Sequence, residues 1–300
     1  LARRSCLGVG GHPFVHYSWP DPQLSFSAHQ TLHGNDAMNT FELILYGTLI
    51  VSSLQFGLWL YYRATDNAAW VDVGWAYGLG LIVVFYACFG SGSLTSRLLA
   101  GIMGGLWSAR LGTYLFNRVR NEKEDGRYGE IKRNWKTNLP LKFFLFFQVQ
   151  ALLDVILSIP FLVMVQDSRE DLQWTHWLAL SIWVISMVGE AVADRQLAHF
   201  KSNIDHKGQT CRQGLWRYSR HPNYFFEWLI WAAFALMAIP SPGGYWSLIC
   251  PALMLYFLLR VTGIPATEAQ SLRSRPEDYR RYQEETSMFI PWFPKKGISS

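Results

Sequence analysis

Seven long apolar stretches, divided by short polar ones, constrain this chain more than any other feature. They run over residues 40–62, 70–90, 97–118, 141–165, 174–194, 224–241 and 244–262. A helix needs about 20 mostly apolar residues to cross a bilayer, and only helices or closed barrels satisfy their backbone polar groups there. Most of the seven reach that length; the sixth is short, and the third carries Arg110. The expected fold is all-α, a polytopic membrane bundle of about seven transmembrane helices. Aromatic residues gather near the segment ends, among them Tyr61, Tyr62, Trp70, Trp174, Trp177, Tyr245 and Trp246, as in an interfacial belt.

Composition agrees with that reading. Only 16% of residues are charged, against roughly 25% in a soluble domain. The net charge of +5 would suit nucleic acid, but the basic residues are spread over alternate loops, so no nucleic-acid partner is expected. Cys6, Cys88, Cys211 and Cys250 have neither metal-ligand nor disulfide-framework spacing, and no metal site is expected. Residue 1 is Leu, the first methionine is Met38, and residues 1–37 lack periodicity. That segment reads as a disordered extension, followed by a single membrane domain over 38–300.

Loop charge gives a direction. The 119–142 loop, the 195–223 loop and the tail after 262 are rich in Lys and Arg, whereas 91–96 and 242–243 have none. This alternation fits seven spans with the N-terminus outside and the C-terminus in the cytosol. A bacterial-type inner membrane is the expected location, with membrane lipids as partners.

Charged groups inside spans are costly and usually functional. Asp72 opens the second span, Arg110 and Tyr114 lie one turn apart on the third, and Glu190 and Asp194 lie one turn apart on the fifth. Glu227 opens the sixth. All fall at the cytosolic side, which suggests a pocket open to the cytosol. Taken singly, each reads equally well as an interfacial anchor or structural ion pair. Asp154 is deeper and alone and reads as structural; Glu42 reads as an interfacial acid.

The densest motif is Gly214–Trp228. Arg220 offers a guanidinium fork for phosphate, His221 donates or accepts, and Pro222 starts a helix whose N-terminus favours an anion. Asn223 and Glu227 share a helical face, and Trp216 and Tyr224 suit stacking on a flat ring. These groups fit a phosphorylated nucleotide cofactor. They fit equally a basic, aromatic juxtamembrane segment lying against lipid headgroups.

The stretch Leu215–Glu227 resembles the signature of the membrane steroid 5α-reductase and sterol reductase superfamily, and more narrowly its DUF1295 branch. Similar motifs are Trp70–Trp75, Trp107–Leu111 through Arg118, Glu124–Tyr128, Asp194–Leu197 with Phe200 and Lys201, and the tail Tyr279–Pro291. The Arg-His-Pro core alone is shared with isoprenylcysteine and phospholipid methyltransferases. The resemblance implies NADPH bound in the cytosolic half and reduction of a carbon–carbon double bond in a lipid-soluble substrate. It places Asp194, Asn223 and Glu227 at the cofactor, with Lys201 where steroid reductases carry arginine. Trp216, Arg220, His221 and Tyr224 belong to the same motif, and Glu268 and Tyr282 to a tail that closes over the cofactor. Arg110 and Tyr114 match the Arg-x-x-x-Tyr of the third helix. Two departures stand out: Trp107 occupies the place of the family's catalytic tyrosine, and Phe225-Phe226 replaces a residue-glycine pair.

In this reading hydride passes from NADPH to an electron-poor alkene carbon, and Asp72 or Tyr114, oriented by Arg110, polarises the conjugated oxygen. Asp72 is the expected acid, kept protonated by desolvation. Two other readings remain: a lipid or isoprenylcysteine methyltransferase using S-adenosylmethionine, and a non-catalytic lipid-binding membrane protein.

Overall fold

A computed structural model describes residues 37–295 apart from Lys123 and Asp125. The expected N-terminal extension therefore lies outside the described residues, save its last. All regular structure among the described residues is helical, and the described residues from Met38 onward form one compact unit.

The principal helices are α1 (Thr40–Thr65), α2 (Trp70–Phe89), α3 (Leu94–Asn121), α5 (Leu139–Leu157), α7 (Trp174–Ser202) and α8 (Pro222–Ala238). Shorter ones are α4 (Gly126–Trp135), α6 (Ile159–Met164), α9 (Ile249–Tyr256), α10 (Ile264–Ser274) and α11 (Pro276–Glu285). Local chemistry sets the boundaries. Asn39 and Glu42 form a reciprocal capping box at the start of α1, and Ser93 caps α3 through the Ser96 N–H. Pro222 starts α8, where its missing N–H costs nothing. The α5–α6 pair is one apolar run broken at Ser158, two residues before Pro160.

Five helical stretches are long and apolar enough to cross a membrane: Thr40–Thr65, Trp70–Phe89, Leu139–Met164, Trp174–Ser202 and Gly244–Ser274. The other two expected spans differ in kind. Helix α3 is long but carries Arg97, Arg110, Arg118 and Arg120, and α8 has only 17 residues. Helix α3 packs along α2 and α8 along α7, and α3 keeps an exposed apolar face at Leu98, Ile102 and Leu106. The last span is irregular: a 3-10 turn over Gly244–Leu248, then α9, then a π-helical turn over Phe257–Val261 that runs into α10.

Helix α2 is central, with 56% of its apolar window buried against 22% for α1. Its approach to α3 is close. A Cβ on Gly80 would fall 2.0 Å from the Ser108 hydroxyl, and that hydroxyl donates to the Ala76 carbonyl at 2.8 Å. The main core joins Tyr86, Trp107, Phe161, Trp231 and Phe234. A Cβ on Gly189 of α7 would lie 2.5 Å from the Phe226 ring of α8. The bulk at Phe226, where the resembling family has glycine, is thus accommodated by a glycine on the facing helix.

Three basic segments meet at one end of the bundle. Lys132 of α4 pairs with Asp66 after α1, Arg212 pairs with Asp278 of α11, and Arg273 of α10 pairs with Glu130 of α4. Segments read from sequence as a loop and a tail are therefore partly helical, and α7 extends well past residue 194 to carry Lys201.

Candidate functional site

At that basic end lies a cleft of about 540 Å³ walled by α3, α7, the 210–221 loop, α8, α10 and α11. Of the residues singled out from sequence, Tyr114, Lys201, Trp216, Arg220, His221, Asn223, Tyr224 and Tyr282 line it. The structure does bring most of the motif to one cavity. Asp194, Glu227, Arg110 and Glu268 stand behind the lining, and Asp72 stands behind Arg127 on its α4 side.

Behind Asn223 is a buried ionic cluster. Arg110 of α3 pairs with Glu190 at 2.5 Å and with Asp194 at 2.8 Å, both on α7. Asp194 in turn accepts from the Asn223 amide at 3.3 Å. Arg110 therefore holds α3 against α7 and does not orient Asp72 or Tyr114, as the sequence had suggested. Glu227 accepts from the indoles of Trp107 at 3.1 Å and Trp231 at 2.9 Å. Both its oxygens are thus engaged by protein, so a direct cofactor contact by Glu227 does not follow from the fold. Trp107, standing where the family carries its tyrosine, is a buried clamp on Glu227, fully enclosed.

Asp72 belongs to a second cluster. It accepts from the Tyr128 hydroxyl at 2.6 Å and from Arg127 at 3.2 Å, both on α4. Its two oxygens each accept one of these bonds, which ties the start of α2 to α4. Nearby, Glu124 accepts from Lys132 at 2.9 Å and from the Ala68 N–H at 2.6 Å. Burial works against the Lys132 ammonium, but Glu124 and Asp66 outweigh it and raise its pKa.

The carboxy-terminal helices are tied to the motif by Arg220. Its Nε donates to Glu268 at 2.8 Å, its Nη1 to the carbonyls of Gln283 at 3.0 Å and Thr286 at 2.7 Å. The phosphate fork read from sequence is thus largely spent on the tail. Glu268 also meets His221 Nε2 at 3.2 Å, Gln283 at 2.7 Å and Tyr279 at 3.4 Å. Burial lowers the His221 pKa, against the opposing pull of Glu268. Its ring stacks on Tyr224 at 5.4 Å. Tyr282 donates to the Trp216 carbonyl and, at 3.2 Å, to that of Ser219. Burial raises the Tyr279 and Tyr282 phenols above their ordinary range, so both stay neutral donors. Tyr282 is therefore a pin beneath the cleft, and Glu268 is the hub that closes it.

Three buried polar atoms on the cleft wall have no partner: Asn223 Oδ1, Thr210 Oγ1 and Arg275 Nε. Buried polar groups are nearly always bonded, so such atoms call for an explanation. Sequence reasoning missed Thr210 and Arg275, because neither lies in a motif. It also missed the second clamp, Trp231, whose only signal is its spacing of four from Glu227.

Comparison with known proteins agrees with the helical architecture. A family model described as a protein of unknown function (DUF1295) matches residues 58–286, which span every candidate residue from Asp72 to Tyr282. A relative in Schizosaccharomyces pombe, the uncharacterised protein C594.04c, is 26% identical, covering 84% of this chain and 80% of that protein. No solved structure matches. With three quarters of its length under the family model, the chain belongs to the DUF1295 family.

Proposed function

We propose that this protein binds NADPH in the cleft and reduces an electron-poor carbon–carbon double bond of a lipid-soluble substrate. The observation that carries this reading is the cleft wall itself, with three unpartnered buried polar atoms beside cations and flat rings. Its volume falls within the roughly 300–1,000 Å³ of small-molecule sites.

The residues fit a phosphorylated nicotinamide nucleotide. Lys201 and Arg275 supply positive charge for phosphate, and Trp216 and Tyr224 supply flat apolar surface. Asn223 spends its amide N–H on Asp194, which fixes the free Oδ1 as an acceptor for a carboxamide N–H. The bound nicotinamide supplies the hydride. Around it, Arg110 and Asp194 hold Asn223 in register, and the Arg220–Glu268 pair keeps the tail closed and water out. Of the cleft-lining tyrosines, Tyr224, Tyr279 and Tyr282 bond Thr267, Glu268 and the Trp216 carbonyl, and Tyr114 is assigned the proton donor's role.

The test is a thermal-shift comparison of NADPH, NADH and S-adenosylmethionine on detergent-purified protein. A ligand at a hundredfold excess over its Kd stabilises by about 2.7 kcal/mol, and NADPH is expected to do so. No response to either nicotinamide nucleotide sinks the reading, and stabilisation by S-adenosylmethionine alone replaces it with methyl transfer. A Tyr114→Phe variant then loses turnover with NADPH binding kept. The same proposal has α3 and α8 crossing as sixth and seventh spans, with the cleft facing the cytosol. Reporter fusions in each loop test that, and fractionation of the source cells tests the bacterial-type inner membrane.

A further inference from the structure

Asp154, read from sequence as a lone structural acid, is fully buried on α5, and neither carboxyl oxygen has a hydrogen-bond partner. Its surroundings are apolar: a Cβ on Gly78 of α2 would lie 2.8 Å from Oδ2, with Val51 and Leu54 of α1 just beyond. One turn along the same face of α2, a Cβ on Gly74 would lie 3.0 Å from both the nitrogen and the oxygen of the Gln55 amide. Gln55 is itself fully buried, and its Oε1 is also without a partner. Its Nε2 donates weakly, at 3.5 Å, to the Val71 carbonyl, next to Asp72.

The glycines thus leave room for two polar side chains within the membrane core, and both keep acceptor atoms without a donor. The charged groups of the helices packed there sit at helix ends: Glu42 and Arg63 on α1, Asp72 on α2, Lys142 on α5. Among the other polar groups on or beside these elements, Gln148 donates to the Ser52 carbonyl at 3.4 Å, and the Tyr86 hydroxyl and Ser158 approach each other at 3.4 Å. No cation faces Asp154 among the described residues. An ionised carboxylate there would be both desolvated and unpaired, the costliest state a side chain can take. One added proton turns an orphan acceptor into a donor, one turn of α2 from Gln55 Oε1, which lacks a partner.

We propose that Asp154 and Gln55 form a proton-binding site between α1, α2 and α5, reached from the Asp72 end of α2. This site is independent of the cleft and of any cofactor. It makes the bundle itself a carrier of an exchangeable proton, held apart from the reaction chemistry.

Infrared spectroscopy of the purified protein in lipid tests this directly. Wild type minus Asp154→Asn is expected to show a protonated-carboxyl C=O band at neutral pH, which shifts when the sample is moved into D₂O. Gln55→Leu is expected to move that band to higher frequency by removing its acceptor. Labelling wild-type aspartates with ¹³C supplies the same assignment should Asp154→Asn fail to fold. An unchanged carboxylic-acid region, in both the variant and the labelled protein, would overturn the proposal. A band indifferent to Gln55→Leu would overturn the pairing, and one that does not respond to D₂O would overturn exchange.

Discussion

Two sites at opposite ends of the bundle treat their polar atoms in opposite ways. At the end opposite the cleft, Asp167 accepts from the Arg169 main chain at 3.1 Å, from its guanidinium at 3.0 and 2.6 Å, and from Ser241 at 2.6 Å. Arg169 reaches on to the Pro240 carbonyl, and only a crevice of about 10 Å³ remains. At the cleft end, roughly 540 Å³ stays open, and Asn223, Thr210 and Arg275 each keep a buried atom unbonded. The first arrangement is a completed staple between the α6–α7 loop and the end of α8. The second is a set of contacts that lacks one member. The first set of groups satisfies itself, whereas the second leaves buried atoms that call for an explanation.

The comparison breaks most severely at Arg110. Arg110→Ala leaves Glu190 and Asp194 buried without their cation, and stability is expected to fall by about 3–5 kcal/mol, measured by thermal unfolding in detergent. A variant that unfolds like wild type would mean the cluster is solvated and the cleft end is not built as described. The α7–α8 contact comes next. Gly189→Val forces the Phe226 ring away and is expected to cost about 1–3 kcal/mol by overpacking. Gly57→Ala, where an added Cβ meets nothing within 4 Å, is the neutral or mildly stabilising control.

Arg169→Ala sharpens the contrast from the closed end. Paired with Arg169, the Asp167 carboxyl is held down to about 2 from an ordinary 3.8. Its stabilisation is therefore complete above pH 3.8 and is lost as pH falls from there through about 2. Removing the arginine should cost about 1.5–3 kcal/mol at neutral pH, flatten that acid limb and leave nucleotide affinity alone. Asn223→Ala should do the reverse. Unfolding is expected to change by within about 1 kcal/mol, while nucleotide binding weakens about tenfold, the equivalent of 1.4 kcal/mol. The smallest effect is that of His221. Its pKa is depressed below 6.5, so the unfolded chain binds more protons there and stability declines as pH falls below that value. His221→Gln should remove that slope in a pH series of melting temperatures.

Much of the fold was legible because periodicity and apolar length are local properties. Trp70–Phe89 agrees closely with the expected 70–90, and Trp174–Ser202 starts where 174–194 was expected but runs on to carry Lys201. The π turn at Phe257–Val261 was not legible, since no local residue pattern marks it. The motif residues Trp216, His221, Asn223 and Tyr224 were legible as a group because they are close in sequence. The partners of Asp72 were not: Tyr128 lies 56 residues away, and only folding decides that α4 returns to α2.

The apolar stretches by themselves determined that this protein is a helical bundle for a membrane, because hydrocarbon allows a backbone few other forms. The charge pattern determined which loops would gather at one end. Tertiary structure alone decided which charged groups are spent and which are left over. Arg220 looked like a phosphate ligand until the tail took its donors, and Trp107 like a lost tyrosine until Glu227 took its proton donor. The physical reason is that a hydrogen bond is directional and short, so a side chain's role depends on what lies within about 3 Å of it.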